Sequence, residues 1–203
     1  MKKHKGHMPP ETAVDQMRRE LKRVRYRREY WRALRSTLFS LLLIAALILS
    51  VAAYLPIVRI TGDSMADTLR RGDILLTLRG DDVRRGDLVV FYVEGGKMLV
   101  KRVAAVDGDQ VQMDQDGVLV VNGETVSETY VTNSSLGECD LEFPIIVPRE
   151  RIFVLGDNRE LSIDSRSSAM GYIAREQIIG KVALRIWPIQ TFGRIGSAKC
   201  TEG

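Results

Sequence analysis

Apolar and polar positions follow two regimes along this chain. From Ser36 to Val58 there is no charged residue, and most of the apolar surplus lies between Leu38 and Leu55. These 23 residues exceed the ~20 that a helix needs to cross a bilayer core. Nothing polar interrupts the run to mark a solvent face, as a helix packed on a soluble core would require. After Leu55-Pro56 the apolar residues form short runs separated by Gly-Asp and other turn pairs, a strand pattern. Predicted strands are 74–78, 88–93, 98–106, 111–113, 118–121 with a return after the Asn122-Gly123 turn, 145–147, 151–155 and 178–187. The turn at 94–97 makes 88–93 and 98–106 a hairpin. Apart from the apolar run and its approach, only a short turn near Met65–Leu69 is expected to be helical. The expected fold is therefore mainly β: an antiparallel coiled sheet or open barrel, behind a single N-terminal transmembrane helix.

Charge gives this arrangement a direction. Residues 1–35 carry twelve lysines and arginines against four acidic residues, or +8, so the rest of the chain carries −4 to reach the net +4. Under the positive-inside rule the basic flank stays cytoplasmic. The expected organisation is a basic cytoplasmic tail (1–35), an anchor (36–58) and an exterior β-rich domain (59–203), within which about 107–148 forms a reduced second β-subdomain. The composition from Glu11 to Arg35 favours helix, and its basic face suits anionic lipid headgroups. A nucleic-acid role lacks any recognisable binding module, and topology alone demands these juxtamembrane cations. Ser50-Val51-Ala52 has the look of a signal-peptide cleavage site, but the basic region is too long and the apolar run exceeds a usual h-region. Two cysteines, Cys139 and Cys200, are too few for a disulfide scaffold. They are free thiols or one optional bridge. No Cys/His spacing suggests a metal, and no cofactor is implied.

The stretch Gly62-Asp63-Ser64-Met65-Ala66-Asp67-Thr68-Leu69 follows the apolar run by a few residues. Taken alone, Gly-Asp-Ser is ordinary turn chemistry. A serine nucleophile needs a base, and the two histidines, His4 and His7, precede the predicted span. A bilayer then separates them from Ser64, which excludes a Ser-His-Asp arrangement. Lys101 is the remaining strong base, because Leu99, Val100, Val103 and Ala104 surround it. Burial disfavours the ammonium and can supply a neutral amine. Periodicity alone favours the opposite, a solvated strand lysine with Arg102 inward or paired. Asp63, Asp67, Asp73 and Asp87 read as turn residues. In the polar loop after 151–155, Asp164 with Arg166 or Arg102 reads as a structural ion pair. Ser162, two residues before Asp164, can fix the Lys101 amine by a hydrogen bond.

The ordered set Gly-x-Ser-Met-x-x-Thr-Leu, Arg-Gly-Asp-Leu-Val-Val-Phe, Val-Lys-Arg-Val and Gly-Asp-Asn-Arg-x-x-Ser-x-Asp-Ser-Arg resembles bacterial type I signal peptidases, from the anchor to about Trp187-Pro188. The resemblance implies a membrane serine endopeptidase that removes signal peptides from secreted preproteins. It implies Ser64 as nucleophile, Lys101 as general base, Ser162 as the hydroxyl that orients the lysine, and Asp164, Arg166 and Arg102 as a supporting network. By resemblance Ile60, Met65, Leu69, Leu99 and Val100 line shallow pockets for small residues before the cut. Two departures stand out. Asp67 replaces a common proline, and Gly62 stands where some members carry a serine donor for the oxyanion. The implied partners are signal-peptide-bearing preproteins and membrane lipid; oligomeric state stays open. A self-cleaving repressor uses a similar Ser/Lys pair but needs a DNA-binding domain and no span. A membrane-anchored β-rich assembly protein without catalysis is the rival from another class.

Overall fold

The computed structural model describes residues 13–195 except 67 and 81. His4, His7, Asp67 and Cys200 lie outside the described residues. The chain forms two compact units, 1–51 and 52–203.

The described residues of the first unit all lie in one helix, α1 (Ala13–Tyr54), 42 residues and about 63 Å long. The basic approach and the apolar run, expected as separate segments, are continuous. Within its stretch Arg25–Val51 an 18-residue window has a mean hydropathy of 2.1, and the stretch is long and apolar enough to cross a bilayer. Leu42, Leu47 and Leu49 are exposed, as a lipid-facing helix requires and a soluble core helix does not. The helix stops two residues short of Pro56, whose ring disfavours helical backbone at Leu55. The expected anchor boundary at Val58 therefore overruns: Ile57–Arg59 is already a strand, and Val58 is buried in the β core.

The second unit contains β1 (Ile57–Arg59), β2 (Ile74–Leu78), β3 (Leu88–Tyr92), β4 (Met98–Ala105), β5 (Gln110–Met113), β6 (Leu119–Val121), β7 (Glu124–Thr125), β8 (Ile145–Ile146), β9 (Arg151–Leu155), β10 (Ile173–Ala174) and β11 (Ile178–Trp187). Short 3-10 turns occupy Arg175–Gln177 and Ile189–Thr191. Seven strands form one sheet in the order β1-β2-β11-β3-β4-β9-β10, and four form a second in the order β7-β6-β5-β8. Every pairing is antiparallel. The large sheet is open, with β1 and β10 at its edges. Register shifts in β11 against both neighbours, and in β4 against β9, mark bulges that coil it. Strands β1 and β10 escaped the sequence reading because one was absorbed into the apolar run and the other is two residues long.

Three Gly-Asp turns share one design. In Arg70–Asp73, Arg84–Asp87 and Val106–Asp109 the aspartate carboxylate accepts the N–H of the residue three positions earlier, at 3.0, 3.0 and 2.8 Å. The intervening glycine takes a left-handed φ of +97, +87 or +84°. Side chains thus satisfy backbone donors at each strand entry.

Candidate active site

Lys101 sits on β4, a central strand, between Val89 of β3 and the start of the β4–β9 pairing at Arg102 and Leu155. It is 2% exposed. The solvated position favoured by periodicity is not what the fold supplies: β4 is covered on both faces from Val100 onward, so alternation carries no information there. Its Nζ donates to Ser162 Oγ at 2.7 Å, and Ser162 Oγ donates to Asp164 Oδ2 at 2.7 Å. Burial lowers the Lys101 pKa from 10.5 to about 8, and the Arg166 charge adds to this while Asp164 and Asp157 oppose it. For Asp164, burial raises the pKa, but the Arg166 bonds, the Gly156 N–H and the Ser162 hydroxyl together hold it below the usual carboxylate range.

Ser162 and Asp164 belong to the loop that leaves β9 at Gly156. The loop returns to β9 through Ser165, whose N–H donates to Val154 O while Ser165 Oγ accepts the Val154 N–H. Arg166 clamps Asp164 with two bonds at 2.8 and 2.9 Å. Gly156 has no room for a side chain: a Cβ there would lie 2.1 Å from Ser162 Oγ and 2.6 Å from Ser64 O. The Ser64 backbone carbonyl and the hydroxyl that holds the lysine therefore both pack against Gly156. The Ser64 carbonyl is fixed by the Asn158 N–H at 3.1 Å. The half-buried Ser64 lies on the turn after Asp63, and among the described residues neither its Oγ nor its N–H has a hydrogen-bond partner. A Cβ on Gly62 would meet only open space.

Arg102 does not pair with Asp164. Its guanidinium grips Asp157 at 2.8 and 2.6 Å and donates to Gly86 O. Asp157 also accepts the Thr68 hydroxyl, tying this pair to the turn that carries Ser64. The Arg102 guanidinium lies 3.9 Å from the centroid of the Tyr130 ring. Arg159, 1% exposed, pairs with Glu128 and donates to Gly156 O. Thr68 and Gly156-Asp157-Asn158-Arg159 stood in the sequence only as motif positions with no role assigned, and nothing in it singled out Glu128 or Tyr130.

Of the candidate pocket residues, Ile60, Met65, Leu69 and Val100 share one buried core cluster. Leu99 is half-buried and packs on a different one. Met65 Sδ accepts the Asp157 N–H at 3.4 Å. Leu69 is fully enclosed, so in this conformation it supports the cluster without offering surface. The described residues hold no cluster of three or more His, Cys, Asp or Glu suited to a metal ion.

The profile of the family described as signal peptidase, peptidase S26, matches residues 31–187. Signal peptidase IB of Staphylococcus aureus (strain Mu50 / ATCC 700699) is 35% identical over 152 residues, covering 66% of this chain and 78% of the relative. Signal peptidase I of Bacillus caldolyticus is 37% identical over 148 residues, covering 66% and 80%. A crystal structure of a signal peptidase I from Enterococcus faecalis aligns with a TM-score of 0.42 at 27% identity, covering 49% of this chain and 96% of that one. A family match over most of the chain and relatives above 30% identity settle its place: the chain belongs to the signal peptidase family, peptidase S26, and is a signal peptidase hydrolase.

Proposed function

We propose that the protein is a membrane-anchored serine endopeptidase that removes N-terminal signal peptides with a Ser64/Lys101 dyad. The observation that carries this reading is a buried lysine whose amine is held by Ser162, with the backbone carbonyl of Ser64 packed against the same glycine, Gly156. Ser162 gives its proton to Asp164, so its lone pairs face Lys101. One N–H of the amine is thereby engaged, and the neutral amine's lone pair remains for the Ser64 hydroxyl. Lys101 takes the Ser64 proton as Oγ attacks the scissile carbonyl. The unpartnered Ser64 N–H stabilises the oxyanion. Lys101 then protonates the leaving amine, and its freed lone pair activates the water that hydrolyses the acyl-enzyme.

Supporting the substrate pose, Met98–Lys101 pairs with β3 on one edge, whereas β9 pairs with β4 only from Arg102 onward. The other edge accepts an extended peptide by strand addition. Ile60, Met65 and Val100 form the floor under its small side chains, with Leu69 behind and Leu99 on the flank. The apolar part of α1 anchors the enzyme to the membrane surface where its substrates emerge, with the basic end cytoplasmic and the β unit outside. The test incubates a secretory precursor with the parent and with Ser64→Ala, Lys101→Arg and Lys97→Arg. Cleavage falls at least about a thousandfold in the first two and is unchanged in the third, which alters an exposed turn. Parent-like cleavage by Ser64→Ala or Lys101→Arg would remove the dyad.

A further inference from the structure

The segment after β7, residues 126–137, has no regular secondary structure, yet it touches all three buried arginines around the site. Glu128 pairs with Arg159. The Tyr130 ring lies against the Arg102 guanidinium, and its hydroxyl donates to Glu128 at 2.9 Å. The carbonyls of Ser135 and Leu136 accept Arg166 Nη1 at 3.3 and 2.6 Å. Those arginines in turn hold Asp157, Gly156 O and Asp164. Each of the three arginine anchors of the loop that presents Ser162 is therefore backed by this strap, beside the loop's own bonds to Val154 and to the Ser64 carbonyl.

Its approach is built in at two glycines. A Cβ on Gly137 would lie 2.4 Å from Arg159 O and 2.8 Å from Arg166 Nη1. A Cβ on Gly117, in the β5–β6 turn, would lie 2.4 Å from the Ser135 carbonyl carbon, and Gly117 O accepts Arg159 Nη1. Val126 and Leu136 pack the strap onto the core that the second sheet shares with β4 and β9. The small sheet thus carries a clamp, which gives it a task beyond its own folding.

We infer that Glu128 and Tyr130 are positioning residues: through Arg159 and Arg102 they hold the Gly156–Arg166 loop closed over Lys101 and align Ser162 with the amine. The inference rests on the Ser64/Lys101 reading. Burying Arg159 with Glu128 removed leaves an uncompensated charge beside Gly156. The loop then relaxes, water reaches the lysine, and the Lys101 amine loses both its orientation and its dry surroundings. Around that amine the charged groups are Asp164, Asp157 and Arg166.

The test measures kcat, KM and the pH profile of full-length protein in detergent micelles, for parent, Glu128→Gln, Glu128→Asp and Tyr130→Phe. Tyr130→Phe keeps the ring on Arg102 and removes only the bond to Glu128, so it folds even where Glu128→Gln does not. The expected result is a loss in kcat of roughly 10- to 100-fold for Glu128→Gln, a smaller loss for Tyr130→Phe and partial recovery in Glu128→Asp. KM stays within about twofold of the parent, and the midpoint of the pH–kcat curve moves up. Parent-like kcat and midpoint in folded Tyr130→Phe and Glu128→Asp overturn the inference, as does a change confined to melting temperature or KM. Ser64→Ala in the same assay separates the two readings: if it still cleaves, the dyad has failed, and if only the strap variants are parent-like, the clamp has failed.

Discussion

Lys101 reaches the folded state from an unfolded chain in which its amine is hydrated and titrates near 10.5; in the fold it titrates near 8. A base whose pKa is lowered by folding destabilises the fold by its full amount below the folded value, here below about pH 8. The penalty fades as pH rises from about 8 to 10.5 and vanishes above. It is on the order of 3 kcal/mol, before relaxation of the site reduces it. Lys101→Met is therefore expected to abolish cleavage and raise the melting temperature at pH 7 by several degrees. The gain should shrink towards zero by pH 10.5. Thermal unfolding of both proteins at pH 6, 7, 9 and 10.5 checks this, and a methionine variant less stable than the parent at pH 7 would count against a strained lysine. At this scale the sequence was legible where chemistry forced a choice. The two histidines precede the predicted span, which left lysine as the base to propose for Ser64, and Lys101 stood out by its apolar neighbours. Its burial was not legible, because polar and apolar residues of β4 are enclosed alike.

Strand β1 is where the element boundaries matter most. Ile57–Arg59 pairs with β2, Pro56 O accepts both the N–H and the hydroxyl of Thr77, and Val58 and Ile60 enter the core beneath the Ser64 turn. A chain beginning at Leu55 keeps these contacts and should fold without α1. A chain beginning at Thr61 loses them. Burial of one such side chain contributes about 1.5–3 kcal/mol, so the shorter form should melt at least 5 °C lower and lose activity with it. Equal melting temperatures would mean that β1 is an ornament of the anchor. The strands β2, β3, β4, β9 and β11 were readable from their apolar runs and Gly-Asp borders. The alternative partners of the buried charges were not: Asp164 and Arg102 look equally suited to each other in sequence, and only the fold gives Arg102 to Asp157. The Glu128–Tyr130 strap left no trace at all, because an irregular segment carries no period.

Taken whole, the molecule divides its labour between a long helix and two sheets. The helix supplies an apolar stretch and a basic end, the large sheet supplies Lys101 and the loop that holds it, and the small sheet supplies the strap. Composition foretold the first, motif spacing foretold the second, and the third emerged only from contacts. The central claim is that a neutral lysine, dried by this arrangement, drives peptide-bond cleavage at Ser64. The most direct test is single-turnover cleavage of a precursor by the full-length protein in lipid vesicles, followed from pH 6 to pH 10. The rate of acyl-enzyme formation should rise with pH through one ionisation near 8 and then level off. A rate independent of pH across that range, or one still climbing at pH 10 as an ordinary lysine would dictate, would contradict it.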